Sequence, residues 1–293
     1  MLSRDPAGFA RQMPRLALRP EFEWLQGEME NFAFPDGSFD YVIHLATPSA
    51  AEVGAGDTAL ALTALQGMHR VLQFARHCGV RRLLLSSSGA VYGRQPEALG
   101  HIPEDYNGAP DPCQPMSAYG EIKRMSELMC ALTPEVECVV ARGFSFVGPY
   151  LPLSDKFAIG SFIRDAVGGG PIRIRGDGTP LRSYLYASDM AIWLITLLVK
   201  GKPNRPYNVG SDEAINLGGL ARTIAAASDV TVEIAQLRAT GTAERYVPSI
   251  DKVRNELGLS VTVTLASALH RTIEWARQIP SNPRHNQESA FTK

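Results

Sequence analysis

The sequence predicts an α/β fold built around a parallel β-sheet. Along the 293-residue chain, short apolar runs alternate with segments of helical periodicity, which is the pattern of consecutive strand–helix–strand units. Turn signals such as Asp36-Gly37 stand between the runs. A chain of this length can bury a large core, and we expect two intergrown lobes.

The predicted elements follow one another in that alternating order. The predicted strands are the short apolar runs at residues 22–25, 41–45, 82–87 and 137–142. The predicted helices are residues 60–78, 119–132 and 157–167, and the most apolar stretch, residues 190–199, predicts a buried helix. The Pro-Gly cluster at residues 168–171 marks the end of the third helix.

Charge and composition argue against several kinds of partner. The net charge is −1 and the isoelectric point is near 6.6, so there is no basic field to attract nucleic acid. The apolar stretch at residues 190–199 is only ten residues long, which is too short to span a membrane. No secretory signal is visible at the N-terminus. Residues 279–293 have the Pro-, Asn- and Gln-containing composition of a disordered tail.

The cysteines predict reduced thiols rather than a metal site. They show no C-x-x-C pairing, which leaves a metal centre or a disulfide framework without support, and they are Cys78, Cys113, Cys130 and Cys138. We therefore expect a cytoplasmic protein without a bound metal.

Tyr119 and Lys123 carry the strongest chemical signal. Four residues apart on one predicted helix, they share a face, so the ammonium can lower the phenol pKa and hold a cofactor ribose. A serine run at residues 86–88 ends the preceding strand, and a serine hydroxyl there could hydrogen-bond the substrate oxygen whose proton the tyrosinate removes. The spacing alone arises by chance in many helices. The order of strand, serine run, Pro- and Gly-rich loop and helix favours a redox enzyme.

Five ordered motifs resemble those of the extended short-chain dehydrogenase/reductases, the nucleotide-sugar epimerase and dehydratase family. They are residues 44–46, 86–93, 119–123, 142–149, and 176–178 followed by 182–184. The resemblance implies a Rossmann-like doubly wound parallel sheet with a smaller C-terminal substrate-binding lobe. Residues 1–150 would form the NAD(P)-binding domain, and residues 151–278 would form most of the substrate lobe, interleaved with the first domain.

The family begins with a strand and a G-x-x-G-x-x-G turn that receives the cofactor pyrophosphate, and this turn does not precede Met1. The segment from Leu2 to Pro6 looks like the end of the family's second strand. About 30 to 35 residues, a strand–helix–strand unit, are therefore missing by comparison. We expect a truncated form of a longer enzyme, with a split sheet and unpaired edges. The alternative is a reorganised fold that dispenses with the segment.

The resemblance assigns roles residue by residue. It makes Ser88, Tyr119 and Lys123 catalytic, because Ser88 stands four residues before Tyr92 of the Val-Tyr-Gly triplet. The implied cofactor contacts are Ser3, Arg4, Glu28, Leu45, Ala46, Thr47, Ser86, Tyr119, Lys123 and Phe144. The implied substrate contacts are Ser88, Ser145, Arg182 and Arg245.

Several of these residues also have simpler interpretations. Glu28 can be a solvated loop charge, and Arg245 can be a surface cation. Ser86 and Ser87 can be strand-end hydroxyls that cap the backbone. His44 is more simply a strand core residue, and Glu104 and Asp105 are more simply solvated loop acids.

The cofactor is implied to be NAD or NADP. Ser3 and Arg4 stand where the second strand would end, and an arginine there can accept a 2′-phosphate, which favours NADP. The tightly held cofactor of the family's epimerases is NAD, so the two arguments conflict.

Gly89 and Ala90 bear on the reaction. The family's 4,6-dehydratases carry an Asp-Glu pair directly after the catalytic residue, and its decarboxylases keep the Glu. Neither residue of this chain can move a proton, whereas epimerases tolerate small residues at these positions. Ser145 also replaces a common asparagine of the family, which puts a sugar-phosphate contact in doubt.

The leading expectation is therefore a nucleotide-sugar epimerase that acts by transient oxidation at the C4 hydroxyl. A 4,6-dehydratase or 4-ketoreductase is the alternative within the family. A truncated remnant that binds without turnover is the alternative from another class. By analogy we expect a homodimer through the helix bearing Tyr119 and the helix from Leu60.

Overall fold

The structure is a computed structural model that describes residues 1–48, 50–53, 58–235 and 243–279. The predicted disordered tail lies outside the described residues from position 280 onward. The chain forms two compact units. The first comprises residues 1–144, 191–212 and 246–260, and the second comprises residues 145–190, 213–245 and the described residues from 261 onward.

Strands and helices alternate through most of the described chain. The strands are β1 (Leu2–Ser3), β2 (Leu25–Gln26), β3 (Tyr41–His44), β4 (Arg82–Ser88), β5 (Glu137–Gly143), β6 (Phe146–Val147), β7 (Ile172–Ile174), β8 (Leu181–Arg182), β9 (Leu185–Tyr186), β10 (Pro206–Val209), β11 (Ile215–Asn216), β12 (Val232–Ile234) and β13 (Arg245–Tyr246). The helices are α1 (Pro6–Gln12), α2 (Pro14–Ala17), α3 (Ala50–Val53), α4 (Thr58–His77), α5 (Ala118–Ala131), α6 (Ala158–Val167), α7 (Ala187–Lys200), α8 (Leu217–Ser228), α9 (Asp251–Leu257) and α10 (Leu265–Gln278). Two 3₁₀ turns, Gly89–Tyr92 and Pro115–Ser117, flank the loop before α5.

The first unit is built on a four-stranded parallel sheet in the order β10-β5-β4-β3. The predicted Rossmann-like α/β fold is thereby confirmed. The central strand β4 pairs with β5 over seven residues, from Arg82↔Glu137 to Ser88↔Gly143. Strand β3 forms one edge of this sheet, and β1 pairs with β2 in a separate two-stranded parallel sheet.

The core of the first unit lies beneath β4. Its residues Leu83, Leu84 and Leu85 are at most 1% exposed. Because both faces of the strand are buried, its sequence is a continuous apolar run rather than an alternation of apolar and polar residues. Helix α4 buries Met68 and Leu72 against the same cluster. Burial on both faces fixes β4 in the middle of the sheet.

The edge strand β3 is less well covered. Ile43 is 43% exposed and Leu45, which follows the strand, is 53% exposed, whereas His44 is buried at 8%. The predicted strand at residues 41–45 is therefore confirmed except at Leu45. An exposed apolar edge of this kind is open to pairing with another strand.

Two predicted elements need correction. The strand expected at residues 22–25 overlaps β2 only at Leu25, and the ring of Trp24 instead contacts Phe9 of α1, with ring centroids 4.9 Å apart. The helix expected to be buried at residues 190–199 lies within α7, but Ile192 and Ile195 are more than half exposed. The helix buries one stripe rather than its whole circumference.

The second unit has its own core between a small sheet and three helices. Strands β7 and β12 pair in parallel, with Ile172 opposite Val232 and Ile174 opposite Ile234. Helices α6, α8 and α10 pack on a common cluster that includes Ile163, Leu220 and Leu269, each at most 1% exposed. This unit contains the predicted helix at residues 157–167, which begins at Ala158.

Candidate active site

Ser88 lies at the carboxyl end of β4, where the parallel strands of the first unit end together. Its hydroxyl oxygen accepts a hydrogen bond from the Ala90 backbone N–H at 3.1 Å and so caps the 3₁₀ turn that follows. Ser88 is 7% exposed and pairs in register with Gly143 of β5. The carboxyl end of a parallel sheet is the usual place for a ligand in α/β folds.

Helix α5 places Tyr119 and Lys123 beside this strand end. A Cβ added at Gly120 would lie 2.8 Å from the Ala90 carbonyl oxygen, so only glycine permits this close approach of helix and turn. The Lys123 ammonium donates to the Ser86 carbonyl oxygen at 2.6 Å, and its Nζ lies 5.8 Å from the centroid of the Tyr119 ring. The three predicted catalytic residues are therefore neighbours.

Burial dominates the ionisation of these groups. It raises the pKa of Tyr119, and a hydrogen bond from Ser88 opposes that rise. It lowers the pKa of Lys123 to about 8, with the Glu127 carboxylate opposing. Desolvation of the phenolate thus outweighs the help that Ser88 gives in the chain alone, and the expected lowering of the phenol pKa by the ammonium stays a prediction.

A buried ion pair lies next to the predicted catalytic groups. The Arg142 guanidinium donates two hydrogen bonds to the Glu127 carboxylate, at 3.0 and 2.7 Å, and both side chains are 15% exposed. The Ser87 hydroxyl also donates to Glu127. The expectation that Ser87 caps backbone is thus wrong, because a buried carboxylate offers a stronger acceptor. Ser86 contributes its backbone carbonyl to Lys123.

Glu104 extends this polar network. Its carboxylate accepts the Asn208 backbone N–H at 2.9 Å, and its carbonyl oxygen accepts from Arg142 at 3.3 Å. Burial raises its pKa. The expectation of a solvated loop acid is wrong for Glu104, whereas Asp105 is exposed as expected. A backbone partner 104 residues away along the chain explains why local patterns miss it.

Tyr246 and Phe144 cover the turn after Ser88. The Tyr246 hydroxyl lies 3.4 Å from the Ser88 hydroxyl oxygen, and the two aromatic rings stack with centroids 4.6 Å apart. A Cβ added at Gly89 would lie 2.7 Å from both the Tyr246 hydroxyl and the Phe144 ring. Tyr246 was not among the predicted site residues, and since it lies 158 residues from Ser88 no local spacing indicates it.

The predicted adenine-side residues gather at the small sheet of β1 and β2. Ser3 pairs in register with Gln26, and this brings the Arg4 guanidinium within 4.0 Å of the Glu28 carboxylate. Both side chains are more than half exposed. Leu45, Ala46 and Thr47 follow β3 at the carboxyl edge of the main sheet, with Leu45 and Ala46 exposed.

The remaining predicted substrate residues belong to the second unit. The Arg182 guanidinium pairs with the Glu244 carboxylate at 3.2 Å, so its charge is already partnered there. Burial raises the pKa of Tyr184 to about 12, and the positive charge of Arg182 opposes this rise. Ser145 accepts the Leu185 backbone N–H through its carbonyl oxygen at 3.0 Å. Arg245 begins β13 and is partly buried.

Lys123 provides a test of whether a cofactor fits this site. An ammonium has three N–H donors, and Lys123 is 3% exposed. Its one hydrogen bond within the described part of the chain goes to Ser86. Buried donors without acceptors are costly, and two ribose hydroxyls would supply the missing acceptors. The residues present therefore fit the ribose of a nicotinamide dinucleotide.

The described residues also bear on metal binding and on membrane insertion. Among them there is no group of three or more His, Cys, Asp or Glu side chains arranged to hold a metal ion. Over the same residues, no helix combines the length and the apolarity that crossing a membrane requires.

Comparison with known proteins agrees with the geometry of the first unit. Residues 15–210 match the family model described as the NAD dependent epimerase/dehydratase family. The chain belongs to this family. The match covers most of the chain, including the segments that carry Ser88, Tyr119 and Lys123. The resemblance expected from the ordered motifs is thereby confirmed.

The chain is also similar to a curated member of the NAD-dependent epimerase/dehydratase family. UDP-glucuronic acid decarboxylase 1 from Xenopus tropicalis is 31% identical over 253 residues, which are 85% of this chain and 59% of that protein. The chain thus spans somewhat more than half the length of this curated relative.

Two solved structures share the fold. UDP-glucuronic acid 4-epimerase from Bacillus cereus, solved with NAD, has a TM-score of 0.76 at 20% identity, and the match covers 92% of this chain and 85% of that one. RMD from Pseudomonas aeruginosa, solved with NADPH, has a TM-score of 0.74 at 24% identity, with 94% and 98% covered. At these identities the likeness establishes the fold.

The buried pair of Glu127 and Arg142 predicts a large stability difference between two substitutions. Glu127→Ala leaves the Arg142 guanidinium buried without a counter-charge, so we expect a loss of about 3 to 5 kcal/mol in the free energy of unfolding. Glu135→Ala breaks the exposed pair with Arg76, at 3.4 Å, and should cost below about 1 kcal/mol. Urea denaturation of both variants measures this difference, and equal losses would contradict it.

The buried His44 predicts a pH-dependent loss of stability. Burial lowers its pKa to about 4 in the folded chain, and the ordinary value is 6.5. As the pH falls, the unfolded chain protonates His44 at a higher pH than the folded chain does. The free energy of unfolding therefore keeps its full value above pH 6.5 and decreases as the pH falls toward 4.

We expect His44→Gln to remove this part of the pH dependence, which amounts to about 3 kcal/mol between pH 6.5 and 4. His69→Gln, on an exposed position of α4, is the matched control and should keep the wild-type slope. The measurement is the free energy of unfolding in urea as a function of pH. A His44→Gln slope equal to that of wild type would refute the assignment.

Proposed function

We propose that this protein is an NAD(P)-dependent nucleotide-sugar epimerase that acts by transient oxidation at the C4 hydroxyl of the sugar. The observation that carries the proposal is the convergence of Ser88, Tyr119 and Lys123 at the carboxyl end of β4. A hydroxyl, a phenol and a buried ammonium are the groups that oxidation of an alcohol by hydride transfer requires. We also propose that the protein is located in the cytoplasm.

Each residue has a defined task in this reaction. Tyr119 removes the proton of the sugar hydroxyl, and Ser88 hydrogen-bonds the same oxygen as its charge develops. Lys123 holds the ribose and supplies positive charge near the phenol. A nicotinamide cofactor held through its ribose by Lys123 would supply a reversible hydride acceptor, and the hydride would return to the sugar within the same turnover. Tyr119 then gives back the proton, so the reaction consumes no net oxidant.

Gly89 and Ala90 favour epimerisation over elimination or decarboxylation. The curated relative is named a UDP-glucuronic acid decarboxylase, and the resemblance places a Glu of such enzymes at the position of Ala90. At Gly89 the space for any side chain is filled by Tyr246 and Phe144. Neither residue carries a carboxylic acid, so a step that needs one at these positions lacks its proton donor.

The remaining assignments follow the resemblance. Arg182 and Arg245 would bind the substrate diphosphate, since a guanidinium forms two charge-assisted hydrogen bonds with phosphate oxygens. Arg182 would have to exchange its pairing with Glu244 for the phosphate. Ser3, Arg4, Glu28, Leu45, Ala46, Thr47, Ser86 and Phe144 would border the cofactor. The exposed Arg4 guanidinium favours NADP, and its ion pair with Glu28 reduces that preference.

Substitution of Tyr119 tests the proposal. The full chain is incubated with NAD⁺ or NADP⁺ and a panel of UDP-, dTDP-, GDP- and CDP-sugars, and products are identified by NMR. We expect a C4 epimer, and we expect Tyr119→Phe to lower turnover by about a hundredfold or more because the proton acceptor is lost. Tyr150→Phe, at an exposed tyrosine, should retain activity.

Other outcomes of this experiment each identify a different function. A 4-keto-6-deoxy product would show a dehydratase, and net consumption of NADPH would show a ketoreductase. Binding of a nucleotide-sugar without turnover would show a non-catalytic remnant. Full turnover by Tyr119→Phe would remove the phenol from the mechanism.

We also propose that the protein forms a homodimer through α4 and α5. These helices border a groove of about 780 Å³. The outward-facing apolar side chains Leu62, Met125 and Leu128 are 59%, 45% and 51% exposed. Exposed apolar side chains beside such a groove are typical of an interface between subunits.

Leu128→Asp should disrupt this dimer, because it introduces a charge into the centre of the apolar face. Analytical ultracentrifugation should then show a monomer, whereas Ile192→Asp, at an equally exposed position of α7, should leave the dimer intact. A wild-type chain that sediments as a monomer at every concentration would contradict the proposal.

A further inference from the structure

The hydroxyl of Tyr246 lies close to the catalytic serine. Its oxygen is 3.4 Å from the Ser88 hydroxyl oxygen and 3.4 Å from the Gly143 carbonyl oxygen. Both distances are long for hydrogen bonds between oxygens, as is common for catalytic contacts before the substrate binds. Ser88, Gly143 and Tyr246 all belong to the first unit.

The packing around Gly89 holds the phenol at this position. The Tyr246 ring stacks on Phe144, and the Tyr246 hydroxyl lies directly over Gly89, where an added Cβ would be only 2.7 Å away. The neighbouring Val247 backbone N–H donates to the buried Gln95 side chain at 2.9 Å. The position of the hydroxyl is thus fixed by backbone and ring contacts on both sides.

Each of the three hydroxyl groups near Ser88 has one proton to donate, and its acceptor depends on the ionisation of Tyr119. Each of Ser88, Tyr119 and Tyr246 carries one O–H, and the Ser88 oxygen already accepts the Ala90 backbone N–H. When Tyr119 is neutral, Tyr246 can donate to Gly143 and accept from Ser88. When Tyr119 is ionised, or when a substrate oxygen becomes charged, Ser88 must turn its proton toward that charge.

Tyr246 can support this turn. By rotating its O–H from Gly143 to Ser88, it gives the serine oxygen a second donor beside the Ala90 N–H. A hydroxyl that accepts two hydrogen bonds is a stronger donor for its own proton. No covalent bond changes in this rearrangement, because each oxygen keeps its own hydrogen and only O–H directions rotate.

We propose that Tyr246 is a positioning residue that directs the Ser88 proton toward Tyr119 and the substrate oxygen. The proposal rests on the proposed function, in which Ser88 hydrogen-bonds the reacting oxygen. It assigns to Tyr246 a role that acts through Ser88 rather than by contact with the substrate. It also explains why position 89 is a glycine, since any larger residue would displace the phenol.

The first test measures the ionisation of Tyr119 and needs neither cofactor nor turnover. The full chain is prepared with 3-fluorotyrosine, whose phenol titrates at lower pH than tyrosine, and is followed by ¹⁹F NMR. The Tyr119 resonance is assigned with Tyr119→Phe. In Tyr246→Phe we expect the acid dissociation constant of Tyr119 to fall about threefold to tenfold, because Ser88 loses one of its supporting donors.

Tyr106→Phe is the matched control for this titration. Tyr106 packs in the same aromatic cluster, and its loss should leave the Tyr119 titration unchanged. The ionisable groups that face Tyr119 and its neighbour Lys123, namely Lys123 itself, Glu127 and His44, are the same in every variant. An unchanged Tyr119 titration in Tyr246→Phe, or a shift equal to that of the control, would overturn the proposal.

The second test is a double-mutant cycle on turnover. Tyr246→Phe alone should lower kcat about threefold to tenfold with little change in KM, and should have no further effect when added to Ser88→Ala. Additive losses would show that Tyr246 acts independently of Ser88, contrary to the proposal. Failure of the proposed function is recognised separately, because the wild-type chain would then give no C4 epimer or Tyr119→Phe would retain turnover, while the NMR titration still reports on Tyr246.

Discussion

The parallel pairing of β4 with β5 is the contact on which the candidate site depends. Seven consecutive residue pairs bring Ser88 level with Gly143 at the end of the sheet. The turn after Ser88 then meets Gly120 of α5, which brings Tyr119 to the serine. A shift of one residue in the strand register would move Ser88 away from Gly143 and from the turn. The apolar run of β4, buried on both faces, holds this strand in the interior of the sheet.

Burial at this strand end makes every charge costly. The pKa of Lys123 is lowered, the pKa of Tyr119 is raised and the pKa of His44 is lowered, and desolvation is the first cause in each case. Glu127 offsets part of the cost for Lys123, while Arg142 neutralises Glu127. Donors that turn toward the Tyr119 phenolate would offset part of this desolvation cost. The hydroxyls near the phenol matter for the same reason as the ammonium.

The proximity of the three candidate catalytic residues could be predicted from the sequence because their signals are local. Tyr119 and Lys123 share a helix, and Ser88 ends an apolar strand. Their partners could not be predicted in this way, because those contacts join distant parts of the chain: Ser87 meets Glu127 40 residues away, and Ser88 meets Tyr246 158 residues away. Apolar composition was also an incomplete guide to burial in α7. Only the tertiary packing decides which stripe of that helix is covered.

The edge strand β3 links cofactor binding to the stability of the sheet. Leu45 is 53% exposed at the carboxyl end of β3, in the place where a ligand of a parallel sheet binds. Lys123, whose charge acts on the adjacent His44, has donors that its described neighbours do not satisfy. A dinucleotide that covers the leucine and accepts from the ammonium would bind the folded chain and not the unfolded one, so its binding free energy would add directly to the stability of the fold.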